Sequence, residues 1–149
     1  MATLLIVDDD TLVRETLHEL LSASHECHQA DRAEQAMTYL EIENYDAVIT
    51  DISMPGLSGR SLLKYIQARH AGTPVIVISG MPGEENRGDR RELLDLGAFA
   101  FLSKPFKLEE IEATLELAIA HRQNLSKPAQ DKEETAESRV IAPEVNLSN

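Results

Sequence analysis

Three short runs of apolar, largely β-branched residues constrain the fold of this chain more than any other feature. They are Thr3–Val7 (TLLIV), Tyr45–Thr50 (YDAVIT) and Pro74–Ser79 (PVIVIS). Near-continuous apolar runs of this length are typical of strands buried on both faces, as in a parallel sheet covered by helices. The three runs therefore predict the centre of a buried parallel sheet.

Helical patterns lie between these strands, and Glu26–Ala30 and Phe99–Leu102 are two weaker strand candidates. In the helical segments, apolar residues recur every three or four positions, as Val13, Leu17 and Leu20 do in the first segment. Five strands that alternate with five helices predict an α/β fold with a doubly wound parallel sheet and right-handed crossovers.

Local signals predict where some of the helices begin and end. Asp31-Arg32-Ala33-Glu34 resembles a capping box, Ser58 is a candidate N-cap, and Gly97 is a candidate for the end of a helix. We expect the fourth helix to start late, because three residues of that segment disfavour helical structure: Pro82, Gly83 and Gly88.

Charge and composition argue against several classes of protein. The formal net charge of −12 repels nucleic acid, so we expect no direct nucleic-acid binding. No apolar run reaches the ~18 residues that a membrane-spanning helix needs. Because Cys27 is the single cysteine, we expect no internal disulfide and a cytoplasmic location. Because Asp8 interrupts the first apolar run early, we expect no signal peptide.

Since the helical pattern ends near Arg122, we predict one domain over residues 1–122 and a flexible tail over 123–149.

Polar and charged residues stand where the predicted strands end. They are Asp8, Asp9 and Asp10 at the first strand, Asp51 at the third, Ser79 and Gly80 at the fourth, and Ser103, Lys104 and Pro105 at the fifth. In an open parallel sheet, ligands bind beyond the carboxyl ends of the strands, so we expect these residues to share one rim. That rim would carry several acids, a hydroxyl group and an amine.

Such a rim suits the transfer of a phosphoryl group. Clustered carboxylates raise one another's pKa values, and a bound cation relieves the repulsion. Mg²⁺ is the expected cofactor, because it prefers oxygen ligands and no His or Cys cluster near the acids suggests a transition metal. A carboxylate such as Asp51 can act as a nucleophile and form an aspartyl phosphate. The ammonium of Lys104 and the hydroxyl of Ser79 would neutralise and position the transferred group.

Four segments resemble the receiver domain of two-component response regulators: Leu4–Asp10 (LLIVDDD), Asp46–Gly59 (DAVITDISMPGLSG), Val75–Gly80 (VIVISG) and Gly97–Phe106 (GAFAFLSKPF). The resemblance implies a flavodoxin-like fold with strand order 2-1-3-4-5 and five helices in three layers. It also implies a switch that takes a phosphoryl group from a sensor histidine kinase or a phosphotransfer protein and then controls a downstream protein. Because few residues follow Arg122, we expect a stand-alone receiver.

The resemblance also implies a role for each site residue. Asp51 would accept the phosphoryl group, and Ser79 and Lys104 would contact its oxygens. Phe101 would be the switch residue, turning inward on phosphorylation and repacking the surface of helix four, strand five and helix five. The Lys104–Pro105 peptide bond would be cis. The implied Mg²⁺ ligands are Asp8 (through water), Asp9, Asp51 and the backbone carbonyl of Ser53.

Other interpretations remain open at this level. Asp51 could be a turn or cap residue, Lys104 a surface lysine and Phe101 an ordinary core residue. A haloacid-dehalogenase-like phosphatase also uses an aspartate nucleophile and Mg²⁺, but it needs an acid two residues after the nucleophile, where this chain has Ser53. A third alternative is an interaction module that no longer transfers phosphate.

Overall fold

The computed structural model describes residues 1–80 and 85–126. Its strands are β1 (Thr3–Val7), β2 (Glu26–Ala30), β3 (Ala47–Asp51), β4 (Val75–Ser79) and β5 (Ala100–Ser103). They form one sheet in the order β2-β1-β3-β4-β5, and every neighbouring pair is parallel. The predicted α/β class and the strand order that the resemblance implied are both confirmed.

Five helices alternate with the strands. They are α1 (Thr11–Leu21), α2 (Ala33–Ile42), α3 (Gly59–Arg69), α4 (Glu85–Asp95) and α5 (Leu108–Ser126). A search of the described residues finds no helix that is both long and apolar enough to cross a bilayer.

The sheet lies between two layers of helices, and each of its faces has its own apolar core. Leu4, Ile6 and Ile49 point to one face, where they pack with residues of α1 and α5. Leu5 and Val48 point to the other face, where they pack with residues of α2, α3 and α4. Because neighbouring strand residues point to opposite faces, the continuous apolar runs are needed to fill both cores.

The helix ends confirm two local predictions and contradict a third. The side chain of Ser58 accepts a hydrogen bond from the N–H of Ser61, and Gly97 follows α4 with a positive φ of 109°. The prediction of a capping box at residues 31–34 is wrong. Because α2 begins one residue later than that motif requires, its N-cap is Arg32, which makes no side-chain cap. Gln35 instead accepts a hydrogen bond from the N–H of Asp31.

The fourth helix includes a residue that was expected to disfavour it. Gly88 lies inside α4, so the propensity of a single glycine does not delay the start of this helix beyond Glu85. Pro82 and Gly83 lie outside the described residues. At the other end of the domain, α5 continues to Ser126, and the rest of the predicted flexible tail, residues 127–149, also lies outside them.

Candidate functional site

The parallel strands bring their carboxyl ends to one edge of the sheet. Asp8 and Asp9 directly follow β1, and Lys104 directly follows β5. Asp51 is the last residue of β3, since this strand runs one residue further than the sequence predicts. The register pairs Asp51 with Ile78, which places Asp51 beside the end of β4. The topology therefore gathers the predicted acids and the lysine at the same rim.

Three carboxylates of this rim form a compact cluster. One oxygen from each of Asp8, Asp9 and Asp51 lies within 4.8 Å of the other two. Asp8 is 2 % exposed and Asp51 is 7 % exposed, whereas Asp9 is open to solvent. Two buried acids and one accessible acid leave the cluster open on one side, from which an ion or a phosphoryl group can approach.

The donor set of this cluster fits a hard divalent cation. The Oδ1 atom of Asp8 accepts a hydrogen bond of 2.9 Å from the N–H of Asp10. Within residues 1–80 and 85–126, Oδ2 of Asp8 is a buried side-chain oxygen that accepts no hydrogen bond. A buried charged oxygen that accepts no hydrogen bond is costly unless positive charge lies beside it, and the ammonium of Lys104 is 3.5 Å from this oxygen. Three carboxylate oxygens at this spacing are ligands of the type that Mg²⁺ prefers.

Lys104 supplies positive charge from the opposite side of the rim. Its Nζ atom lies 3.5 Å from Oδ2 of Asp8 and 3.6 Å from Oδ1 of Asp51. The backbone N–H of Lys104 donates to the carbonyl of Ser79, which fixes the start of the segment after β5. The Lys104–Pro105 peptide bond is cis. One ammonium group thus faces two buried carboxylates.

The electrostatics of the rim raise the pKa values of the two buried acids. Burial raises the pKa of Asp51 most, the charge of Asp8 adds to the effect, and Lys104 opposes it, with the result at about 6. Burial also raises the pKa of Asp8, against the hydrogen bond from the backbone of Asp10. An acid that is held in its unfavourable charged form near neutral pH marks a candidate functional site.

Three other predicted residues lie near the rim or behind it. Ser79 is fully buried at the end of β4, paired in register with Ser103 of β5. Ser53 is exposed two residues after Asp51, and its role as a metal ligand stays a prediction. Phe101 is 4 % exposed and lies inward, in the core that packs under α2, α3 and α4. Its role as a switch residue also stays a prediction.

Two residues hold the cluster in place through roles that the sequence reasoning missed. The side chain of Asp10 caps α1 by accepting hydrogen bonds from the N–H groups of Leu12 and Val13. Arg14 donates from Nη1 to the backbone carbonyl of Asp8, at 2.8 Å. An aspartate just before a helical pattern is a recognisable cap signal. The contact of Arg14 has no comparable signal in the sequence.

A third missed residue is Gly59, the first residue of α3. A Cβ atom at this position would lie 2.3 Å from the backbone oxygen of Asp51 and 2.8 Å from the Cα atom of Ile52. The N–H of Gly59 donates to the carbonyl of Ile52 at 3.0 Å. Only a residue without a side chain permits this close approach, so Gly59 fixes the backbone just beyond Asp51.

Comparisons with known proteins give a consistent result. The family described as "Response regulator receiver domain" matches residues 4–116. The DNA-binding transcriptional regulator NtrC of Salmonella typhimurium is 34 % identical over 124 residues, which are 83 % of this chain and 26 % of NtrC. The response regulator protein FleR of Pseudomonas aeruginosa is 37 % identical over 121 residues, which are 80 % of this chain and 24 % of FleR. The chain thus spans about a quarter of the length of these curated relatives.

Solved structures show the same likeness. The receiver domain of the Francisella response regulator 1452 superposes with a TM-score of 0.73 at 27 % identity, covering 80 % of this chain and 98 % of that one. The response regulator TrrA of Thermotoga maritima, in complex with Mg²⁺ and BeF, superposes with a TM-score of 0.70 at 28 % identity, covering 79 % and 99 %.

Proposed function

The chain belongs to the response regulator receiver family, and on that premise we propose that it is a phosphorylation-dependent switch whose phosphoacceptor is Asp51. The observation that carries the proposal is the cluster of three carboxylate oxygens within 4.8 Å of one another, with the ammonium of Lys104 3.6 Å from Asp51. The cluster supplies a nucleophile and oxygen ligands for a cation, and Lys104 supplies a positive charge for the incoming phosphoryl oxygens.

Phosphoryl transfer would begin with the attack of an Asp51 carboxylate oxygen on the phosphorus atom of a phosphohistidine. The O–P bond forms while the N–P bond of the donor breaks, and the released imidazole takes a proton from solvent. Asp8, Asp9, Asp51 and the backbone carbonyl of Ser53 would hold Mg²⁺, which neutralises charge on the phosphoryl oxygens when it is bound. Lys104 would pair with one phosphoryl oxygen, and the hydroxyl of Ser79 would donate a hydrogen bond to another.

The donor would be a sensor histidine kinase or a phosphotransfer protein. An apolar groove of about 380 Å³ lies beside the rim, between α1 and the segment that follows β5. Leu12 and Leu20 line it from α1, Lys104 and Phe106 line it from the other side, and Leu12 is 77 % exposed. Because Lys104 belongs to both the groove and the rim, this exposed apolar groove suits a helix that presents a phosphohistidine to Asp51.

The output would be read by a downstream protein at the surface formed by α4, β5 and α5. The net charge of −12 argues against direct contact with nucleic acid. We place this switch in the cytoplasm, where its proposed phosphodonor proteins act. In this proposal phosphorylation is a local charge event that biases a two-state surface.

Labelling by a small phosphodonor tests the proposal. Incubation with acetyl phosphate and Mg²⁺ should give an acid-stable, base-labile acyl phosphate on the parent chain, and EDTA should suppress it. Asp51→Asn should not be labelled. Asp95→Asn, which changes an exposed aspartate of α4 in the same way, should be labelled as the parent is. Equal labelling of Asp51→Asn and the parent would refute the proposal.

A further inference from the structure

The last part of helix α4, residues 90–95, buries little apolar surface against the rest of the domain. Between residues 90 and 95, Leu93 is the one buried side chain, and the other five are exposed. Two arginine contacts add to this packing. Arg60 of α3 lies 2.8 Å from Oε1 of Glu92, and Arg90 of α4 lies over the ring of Phe101. In residues 90–95, charged contacts therefore join α4 to the domain beside the burial of Leu93.

The contact between Arg90 and Phe101 joins α4 to β5. The central carbon of the Arg90 guanidinium lies 5.9 Å from the centroid of the Phe101 ring. A cation within about 6 Å of an aromatic face is attracted by the negative charge of that face. Since Arg90 is exposed and Phe101 is 4 % exposed, the guanidinium lies on the solvent side of a nearly buried residue.

We propose that Arg90 is a positioning residue for the switch, because its guanidinium holds the ring of Phe101 inward beneath α4. An outward rotation of the ring would separate it from the guanidinium and lose this attraction. A cation–π contact near the surface changes the ratio of inward to outward rings by about two- to fivefold. The further consequence, that Arg90 favours the phosphorylated output surface, rests on the proposed function.

The chemistry of the side chain separates this proposal from a simple steric cover. Lysine and methionine both have unbranched stems that can cover the ring, but only lysine keeps the positive charge that the aromatic face attracts. Arg90→Lys should therefore retain most of the effect, and Arg90→Met should lose it. Arg91→Met is the matched control, since Arg91 is an exposed neighbour in α4 and the same charge is removed.

The direct test is NMR of the full chain with ring-labelled phenylalanine and a soluble paramagnetic agent, which broadens exposed rings. The signal of Phe101 is assigned by its loss in Phe101→Leu, and Phe99 and Phe106 serve as internal references. Broadening of Phe101 should rise about two- to fivefold in Arg90→Met and stay near the parent value in Arg90→Lys and Arg91→Met. Equal broadening in Arg90→Met and Arg91→Met would overturn the proposal, and so would equal broadening in Arg90→Met and Arg90→Lys.

This measurement needs no phosphorylation, so it decides the role of Arg90 even if the proposed function fails. A second measurement tests the consequence, with Mg²⁺ and beryllium fluoride as the probe. By thermodynamic linkage, a probe that favours the inward ring should draw the ring inward in Arg90→Met, so saturating beryllium fluoride should lower the broadening of Phe101 back toward the parent value. Broadening of Phe101 that the probe leaves unchanged in Arg90→Met would overturn the consequence, while failure of the parent chain to bind the probe at all would overturn the proposed function.

Discussion

Asp51→Asn is expected to stabilise the metal-free protein at alkaline pH, although it removes the proposed nucleophile. Burial and then the charge of Asp8 raise the pKa of Asp51 from its ordinary value of 3.8 to about 6. At about 1.4 kcal/mol for each pKa unit, the ionised Asp51 destabilises the folded protein by about 3 kcal/mol. Asparagine carries no charge and removes this penalty.

The gain depends on pH in a direction that follows from the raised pKa. Between about pH 4 and about pH 6, the folded protein holds the proton of Asp51 more firmly than the unfolded chain does, so the stability contributed by this group falls as the pH rises. The penalty is nearly absent below this window and complete above it. The free energy of unfolding of Asp51→Asn should therefore exceed that of the parent by about 3 kcal/mol at about pH 8 and by about 1 kcal/mol at about pH 4.5.

Urea unfolding in EDTA, followed by circular dichroism at both pH values, measures this difference. Asp95→Asn is the control, because an exposed aspartate should change the free energy of unfolding by no more than about 0.5 kcal/mol. Mg²⁺ should reverse the order by stabilising the parent chain more than Asp51→Asn. The electrostatic reasoning is wrong if Asp51→Asn is no more stable than the parent at about pH 8. It is also wrong if the gain in stability is the same at both pH values.

Three further predictions concern the neighbours of Asp51. Gly59→Ala should lower the urea midpoint and reduce the free energy of unfolding by about 1–3 kcal/mol, because its Cβ would lie 2.3 Å from a backbone oxygen. Gly80→Ala is the control and should be tolerated, because its Cβ would meet nothing nearer than 3.8 Å. Lys104→Met should raise the pKa of Asp51 above about 6, and a carboxyl NMR titration that shows no rise would contradict this. Asp8→Asn should lower the pKa of Asp51 in the same titration and weaken Mg²⁺ binding in calorimetry; unchanged binding would exclude Asp8 from the metal site.

The sheet and its rim could be predicted because they follow from patterns that are local in the sequence. A continuous apolar run such as Thr3–Val7 indicates a doubly buried strand, and parallel strands bring their carboxyl ends to one edge, so Asp51 and Lys104 could be placed at the same rim. Sequence patterns gave the residue types of the site without its distances.

The features that the sequence did not reveal depend on contacts between distant segments or on register. The closeness of Gly59 to the backbone of Asp51 depends on how the loop after β3 turns back. The contact of Arg90 with Phe101 depends on the packing of α4 against β5. The capping box failed because a shift of one residue in the start of α2 moves Glu34 out of the position that the motif needs.

The balance of charge at the rim gives a physical reason for the proposed dependence on Mg²⁺. Three carboxylates share this edge with the ammonium of Lys104, so a negative charge remains once Asp51 is ionised. A phosphoryl donor is itself an anion, and it would be repelled by the same carboxylates that include its acceptor. Protonation of Asp51 would reduce that repulsion, but it would also remove the nucleophile. A divalent cation relieves the repulsion and leaves the carboxylate of Asp51 ionised, which is why the cluster needs a cation to perform the proposed transfer.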